Sequence, residues 1–154
     1  MKTLFKTLAV LTASASLALA GGEHWMTDWE AAKAKSKAEN KPILINLTGS
    51  DWCTWCIKIE KEVFSQKAFQ DFATENVIMF EADFPKKPEN KDKQSAEQKK
   101  QNAALEKEYL NKGYPTVYLL DAEGKKLSED IGELKGGTDA YIAKIKEVIA
   151  SQKK

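Results

Sequence analysis

The spacing of two cysteines constrains this chain more than any other feature of its sequence. Cys53 and Cys56 are the only cysteines, and they follow a short apolar run over residues 43–47 and a polar turn. Apolar residues with helical spacing come next. This order predicts a buried strand, a sharp turn and a helix that begins at the cysteine pair.

The start of a helix is a favourable place for a reactive thiol. Free backbone N–H groups and the positive end of the peptide dipoles lie there. A thiolate at Cys53 is stabilised by them, so this thiol can ionise and attack near neutral pH. Cys56 follows one helical turn later, close enough to resolve a mixed disulfide. The pair therefore predicts a dithiol–disulfide redox site.

Two other interpretations of the cysteine pair remain open. One is a purely structural disulfide, although a bridge between residues three apart closes too short a loop to add much stability. The other is half of a zinc site, which needs two more ligands. His24 is the only histidine, so carboxylates would have to complete that site. We therefore expect no metal and no cofactor.

The first 20 residues have the pattern of a secretory signal. Two lysines precede an apolar stretch over residues 8–19, which ends in the small-residue pattern Ala18-Leu19-Ala20. We expect residues 1–20 to be cleaved, leaving residues 21–154 as a single domain in the periplasm or outside the cell. A retained membrane anchor is the alternative, but the apolar stretch is short and interrupted by hydroxyl residues.

The charge of the chain argues against nucleic acid as a partner. Its 24 basic residues are all lysines, and 23 acidic residues balance them. A balanced surface has no electrostatic footprint for a phosphate backbone, and without arginine there is no bidentate recognition of phosphate.

Hydrophobic periodicity predicts an α/β chain with helices on both faces of a mixed sheet. Predicted helices cover residues 23–40, 53–76 (one bent helix or two), 95–110 and 136–150; predicted strands cover 43–47, 77–84, 117–120 and part of 125–131. Thr27 and Glu30 form a capping-box pattern for the first helix. Ser65 is predicted to cap a second helix within 53–76. Trp25 and Trp29 are expected to share one helix face.

Beyond these patterns, the chain resembles the thioredoxin superfamily. Two motifs carry the resemblance: Trp52-Cys53-Thr54-Trp55-Cys56 after a strand, and Gly113-Tyr114-Pro115-Thr116 before a later one. The resemblance covers residues 25–150 and is greatest to exported thioredoxin-like proteins with the motif G-S-D-W-C-x-W-C. It implies a thioredoxin-like fold in which Pro115 is cis and lies beside the cysteines. A substrate peptide would then pair with the backbone edge at Tyr114.

The resemblance also implies a role for each residue of the cysteine motif. Cys53 would be the attacking thiolate and Cys56 the more buried, resolving thiol. Trp52 would shield the site and contact substrate, unless it serves only in the core. Trp55 would contact substrate as well. Thr54 and Trp55, between the cysteines, would tune the reduction potential.

The chain departs from the family pattern in two places. Reductases of the family carry a buried carboxylate six positions before the first cysteine, where this chain has Leu47 beside Asn46. Asp51 and Glu60 are nearby acids, but the sequence does not place either one at Cys56. The Thr54-Trp55 pair also matches neither the family's reductases nor its strong oxidants. The direction of electron flow is therefore left open.

These observations favour an exported, monomeric thiol–disulfide oxidoreductase. Its expected partners are cysteine-containing exported proteins and a membrane or periplasmic redox partner. One alternative is a non-catalytic binding module or chaperone for unfolded exported proteins, with Trp52 and Trp55 as apolar contacts beside Tyr114 and Pro115. A third possibility is metal delivery through the two thiolates.

Overall fold

A mixed sheet of three strands forms the centre of the computed structural model, which describes residues 24–132 and 134–152. The strands are β1 (Ile43–Thr48), β2 (Ile78–Asp83) and β3 (Thr116–Leu120). Their order is β2-β1-β3, with β1 parallel to β2 and antiparallel to β3. The predicted mixed sheet is therefore confirmed, whereas the predicted signal sequence, residues 1–20, lies outside the described residues.

The helices connect these strands. They are α1 (Trp29–Glu39), α2 (Thr54–Ile59), α3 (Lys67–Asn76), α4 (Pro88–Lys91), α5 (Ala96–Tyr109) and α6 (Gly137–Ser151). A π-helical segment, Glu60–Phe64, joins α2 to α3. No helix within the described ranges has the length and apolar character needed to cross a membrane.

Helices cover both faces of the sheet, as predicted. Successive side chains along a strand point to opposite faces, so each strand contributes to two separate cores. One face, here called the α6 face, carries Leu44 and Met79 and packs against α3 and α6. The other, the α5 face, carries Ile45, Leu47 and Phe80 and packs against α1 and α5. The cysteine helix α2 contributes to the α6 face through its last residue.

The predicted cap of the first helix is wrong by one residue. Asp28, not Thr27, is the N-cap of α1, and its carboxylate accepts a hydrogen bond of 2.9 Å from the N–H of Ala31. The reason is tertiary: Met26 exchanges backbone hydrogen bonds with β2, which keeps the chain extended up to the cap. The helix therefore starts later than the periodicity indicated.

The same shift separates two tryptophans that were expected to share a helix face. Trp25 precedes α1 and packs in the α6 core, where its ring lies 5.2 Å from that of Phe64. Trp29 opens α1 and packs edge-on to Phe80 in the α5 core, with ring centres 5.0 Å apart. The two indoles thus lie on opposite sides of the sheet.

Ser65 does not cap a helix, contrary to the prediction. The π-helical turn brings its hydroxyl to the side chain of Glu60, to which it donates a hydrogen bond of 2.8 Å. The N-cap of α3 is Gln66, which makes no side-chain capping bond. Ser95 is the N-cap of α5, and its side chain accepts a hydrogen bond of 3.1 Å from the N–H of Gln98.

The predicted strand within residues 125–131 is reduced to a single bridge to β3. Along this edge the backbone N–H groups of Leu127 and Ile131 donate hydrogen bonds of 2.8 Å to the carbonyls of Leu119 and Val117, and side chains accept hydrogen bonds from the N–H groups of β3. Asp130 accepts a hydrogen bond of 3.0 Å from the N–H of Val117, and the hydroxyl of Ser128 accepts one of 3.0 Å from the N–H of Leu119. The edge of β3 is therefore closed without a regular fourth strand.

Candidate active site

The two cysteines lie where β1 turns into α2. Cys53 is the N-cap of α2, with its Sγ 3.2 Å from the N–H of Cys56. The turn is closed by the N–H of Cys53, which donates a hydrogen bond of 2.9 Å to the carbonyl of Gly49. The sequence pattern of apolar strand, polar turn and helix therefore produces the predicted placement.

The cysteines are joined in a disulfide, with Cα atoms 5.2 Å apart. Both are buried: the exposed fraction is 6% for Cys53 and 2% for Cys56. The backbone N–H of Gly49 approaches the sulfur of Cys56 to 3.5 Å. Cys53 is therefore only slightly more exposed than Cys56.

The loop before β3 lies against the disulfide. The Tyr114–Pro115 peptide bond is cis, and the carbonyl oxygen of Tyr114 is 3.5 Å from the sulfur of Cys53. The Tyr114 hydroxyl donates a short hydrogen bond to the carboxylate of Glu106 on α5. Burial, followed by this carboxylate, raises the pKa of Tyr114 well above its ordinary value. The side chain of Tyr114 is therefore a fixed, uncharged wall of the site.

Trp52 is held beside the site rather than in the core. Its indole N–H donates a hydrogen bond of 2.8 Å to the carbonyl of Phe84, and its ring lies edge-on to Tyr114 at 5.7 Å. The ammonium of Lys86 sits 3.6 Å from the centre of the indole. A Cβ at Gly49 would collide with this ring, so the position of Trp52 requires glycine there.

Asp51 ties the segment after β2 to the cysteine turn. Its carboxylate accepts hydrogen bonds from the backbone N–H groups of Lys86 and Lys87 at 2.9 and 3.0 Å, and from the amide of Asn90 at 2.9 Å. The bond from Lys86 is the main reason why the pKa of Asp51 falls below its usual range. This acid is therefore engaged with the α4 segment and is not directed at the thiols.

A groove lies between α2 and the loop that carries Tyr114 and Pro115, and it is lined by neighbours of the cysteines rather than by the cysteines themselves. Its volume is about 460 Å³, and its lining includes Trp55, Ile59, Val63, Pro115, Leu134 and Tyr141. Trp55 is 66% exposed, with the ammonium of Lys58 5.4 Å from its ring. Thr54, the first residue of α2, is also exposed. Of the predicted substrate-contact residues, Trp55, Tyr114 and Pro115 thus line one apolar groove.

Leu47 lies on the other side of the sheet from the cysteine helix. It is fully buried in the α5 core, whereas its neighbour Asn46 points to the α6 face. The acid that sequence reasoning missed is Glu81 of β2, which is paired in register with Asn46. Glu81 and Cys56 line the same cavity, of about 300 Å³.

Burial and like charges make Glu81 a weak acid. Desolvation, with smaller contributions from Asp83 and Glu60, raises its pKa to about 8. One sequence signal points to Glu81: it is a charged residue within a mostly apolar strand. Because it lies two residues after Met79, its side chain is on the same, covered α6 face.

The described residues do not form a cluster of potential metal ligands. Within residues 24–132 and 134–152 no group of three or more histidine, cysteine or acidic side chains has an arrangement suited to one. His24 is exposed at the beginning of the described chain, and the two cysteine sulfurs are bonded to each other.

Fold and site together define a class: a mixed sheet with helices on both faces, a cysteine pair at a helix N-terminus and a cis-proline loop beside it are the features of a thioredoxin-fold dithiol–disulfide protein. The chain belongs to the thioredoxin-like family, whose sequence model matches residues 24–122. The family and the fold predicted from the two motifs are thereby confirmed.

Individual relatives support the same conclusion. Disulfide bond reductase DsbH of Chlamydia pneumoniae is 39% identical over 124 residues, which are 79% of this chain and 72% of that protein. A solved structure described as DsbH oxidoreductase superposes with a TM-score of 0.73 at 34% identity, covering 90% of this chain and 95% of the other. The reduced C-terminal domain of DsbD from Neisseria meningitidis, 23% identical, shares the fold with a TM-score of 0.53, over 76% of this chain and 90% of that domain. The protein is a thiol–disulfide oxidoreductase.

Proposed function

We propose that this oxidoreductase works as an exported reductase of protein disulfides, with Cys53 as the attacking thiolate and Cys56 as the resolving thiol. The observation that carries the proposal is the placement of Cys53 at the start of α2, with its sulfur 3.5 Å from the carbonyl of Tyr114. The direction is supported by the 39% identity to a relative that is named a disulfide bond reductase.

The reaction follows from this geometry. The Cys53 thiolate, stabilised by the helix N-terminus, attacks one sulfur of a client disulfide, and the other client sulfur leaves as a thiolate that takes up a proton. Cys56 then loses its proton and attacks the sulfur of Cys53. The client's second thiolate leaves, and the Cys53–Cys56 disulfide forms. A dithiol partner must return two electrons and two protons to start another cycle.

The groove beside the disulfide suits an extended client segment. Such a segment would pair with the backbone at Tyr114, while its side chains contact the exposed ring of Trp55. Thr54, between the cysteines, would adjust the solvation of the sulfurs and so the reduction potential. Trp52, fixed by Phe84 and Lys86, would form the opposite wall and keep water from the reacting sulfurs.

Two cysteine variants test the assignment of roles. Cys53→Ser should abolish reduction of a disulfide-bonded peptide, whereas Cys56→Ser should accumulate a covalent protein–peptide disulfide that reductant releases. Turnover by Cys53→Ser at the wild-type rate would overturn the assignment. A reduction potential near about −270 mV, measured against glutathione by tryptophan fluorescence, would agree with a reductant; one near about −120 mV would indicate an oxidant instead.

Export and the monomeric state are parts of the same proposal. The signal-like pattern of residues 1–20 supports export to the periplasm or beyond. Sequencing the N-terminus of the protein recovered from the periplasm tests it, with Gly21 expected as the first residue. Light scattering during size-exclusion chromatography should give the mass of one chain.

A further inference from the structure

We propose that Glu81 is the proton acceptor for Cys56 when the mixed disulfide is resolved, and the proton donor to the same sulfur when the Cys53–Cys56 disulfide is opened. This inference rests on the proposed role of Cys56 as the resolving thiol. Two half-buried acids, Glu60 and Glu81, share a cavity with the enclosed sulfur. The inference assigns this function to Glu81, because the carboxylate of Glu60 is engaged by the hydroxyl of Ser65.

The position of Glu81 follows from the sheet. Along β2 its side chain alternates with those of Phe80 and Ala82, which lie in the α5 core, so Glu81 points to the α6 face. That is the face which α2 covers, and the resulting cavity of about 300 Å³ is lined by both Glu81 and Cys56. A cavity of this size admits water, through which a proton can pass between the two side chains.

Two acids and two lysines are the charged groups nearest to Glu81 on this side of the sheet. Asp83 accepts hydrogen bonds of 2.9 and 2.7 Å from the N–H and the hydroxyl of Ser50. Glu60 accepts one from the hydroxyl of Ser65. The cations on this side are Lys61, which lines the same cavity, and Lys93, which lines the adjoining one with Glu81. The negative charges of Asp83 and Glu60 therefore favour a neutral Glu81.

The acidity of Glu81 fits the exchange of a proton with a thiol. Burial raises its pKa to about 8, close to the ordinary value of about 8.5 for a cysteine. A proton passes readily between groups of similar pKa. In the oxidised protein at neutral pH, the carboxyl group is mostly protonated, so it holds the proton that the Cys56 sulfur needs on becoming a leaving group.

A second observation independently favours a protonated Glu81. Asn46 is 2% exposed, and its Oδ1 is a buried acceptor without a hydrogen-bond partner among the described residues. Such an orphaned acceptor is costly. Asn46 stands opposite Glu81 in the β1–β2 register, with both side chains on the α6 face. A neutral carboxyl group has an O–H that can donate to this oxygen, whereas a carboxylate cannot.

The proposed step balances as follows. When Cys56 resolves the mixed disulfide, its proton passes to the Glu81 carboxylate and a bond forms between the sulfurs of Cys56 and Cys53. The bond between Cys53 and the client breaks, and the client thiolate takes a proton from water. In the opposite half of the cycle a reductant thiolate attacks Cys53, and the departing Cys56 thiolate takes the proton from Glu81.

The variant Glu81→Gln keeps the size and polarity of the side chain but cannot exchange a proton. Reduced protein is mixed with a disulfide-bonded peptide between pH 5 and 9, quenched in acid and analysed for free thiol, mixed disulfide and intramolecular disulfide. We expect unchanged formation of the mixed disulfide, but its resolution should be slowed by about 10-fold or more. The rise of the resolution rate near pH 8, here called the pH-dependent limb, should be lost. Glu81→Asp, which keeps a carboxyl group, should retain part of that limb, whereas a merely structural role would not predict this difference from Glu81→Gln.

Two control variants sharpen the test. Glu75→Gln, at an exposed site on α3, should behave as wild type. Resolution by Glu81→Gln with the wild-type rate and pH profile would overturn the inference, as would loss of the limb in Glu60→Gln but not in Glu81→Gln. If Cys56→Ser fails to accumulate a mixed disulfide, the proposed function itself is wrong; if it does accumulate one, only the role of Glu81 is at stake.

Discussion

The raised pKa of Glu81 predicts a specific dependence of stability on pH. Its pKa rises from 4.5 to about 8 on folding, so the native protein keeps a proton that the unfolded chain has lost. This contribution to the free energy of unfolding is complete below about pH 4.5 and disappears as the pH rises towards 8. Between these values the oxidised protein should lose stability with increasing pH.

The size of the effect can be bounded from the shift. One unit of pKa corresponds to about 1.4 kcal/mol, so a shift of about 3.5 units sets a ceiling of about 5 kcal/mol. Glu81 is half-buried and lines a cavity that admits water, where the effective dielectric is higher than in a dry interior. We therefore expect Glu81 to contribute somewhat less than this ceiling, about 4 kcal/mol.

Urea unfolding of oxidised wild type and Glu81→Gln, at fixed ionic strength from pH 5 to 9, measures this contribution. A glutamine resembles the neutral carboxyl group, so the two proteins should be similar in stability at pH 5. Above pH 8 the variant should be the more stable by about 4 kcal/mol. Other titrating groups cancel in the difference, and Glu75→Gln controls for the loss of one surface charge. Parallel stability curves for Glu81→Gln and wild type would show that Glu81 ionises normally, which would refute the reasoning.

Three further predictions concern local structure. Asp28→Ala should lower the free energy of unfolding by about 1 kcal/mol through loss of the α1 cap, whereas Thr27→Ala should change it by a few tenths; equal losses in urea unfolding would contradict the cap assignment. Gly49→Ala should displace the indole of Trp52 and cost about 1–3 kcal/mol, with an altered tryptophan emission spectrum; an unchanged spectrum and stability would show that the contact relaxes freely. Asp130→Ala should cost about 2 kcal/mol because it unpairs the N–H at the edge of β3, and a loss below about 0.5 kcal/mol would indicate that water replaces the carboxylate there.

The strongest local patterns of the sequence were sufficient for the main elements. The apolar runs at residues 43–47 and 117–120 became strands, and the cysteine pair opened a helix at the expected place. These features depend on short-range chemistry: continuous apolar residues, a polar turn and a helix start. The two motifs that flank β1 and β3 also sufficed to identify the family.

Tertiary contacts determined the features that the sequence pattern did not predict: the cap of α1, the separation of two tryptophans and the place of Glu81. Thr27 and Asp28 are both good caps, and the choice between them depended on the pairing of Met26 with β2. That pairing also sent Trp25 and Trp29 to different cores. Glu81 was overlooked because it lies in a mostly apolar strand, and its significance depends on the approach of α2, which is distant in the sequence.

Both outer edges of the sheet are occupied by other parts of the same chain. On the β2 side, the backbone of Met26 makes hydrogen bonds with the backbones of Met79 and Glu81. On the β3 side, the side chains of Asp130 and Ser128 accept hydrogen bonds from the strand's N–H groups. Exposed strand edges are where intermolecular β-aggregation begins. Because residues of the same chain fill both edges, the described sheet leaves no long free strand edge that another polypeptide could extend.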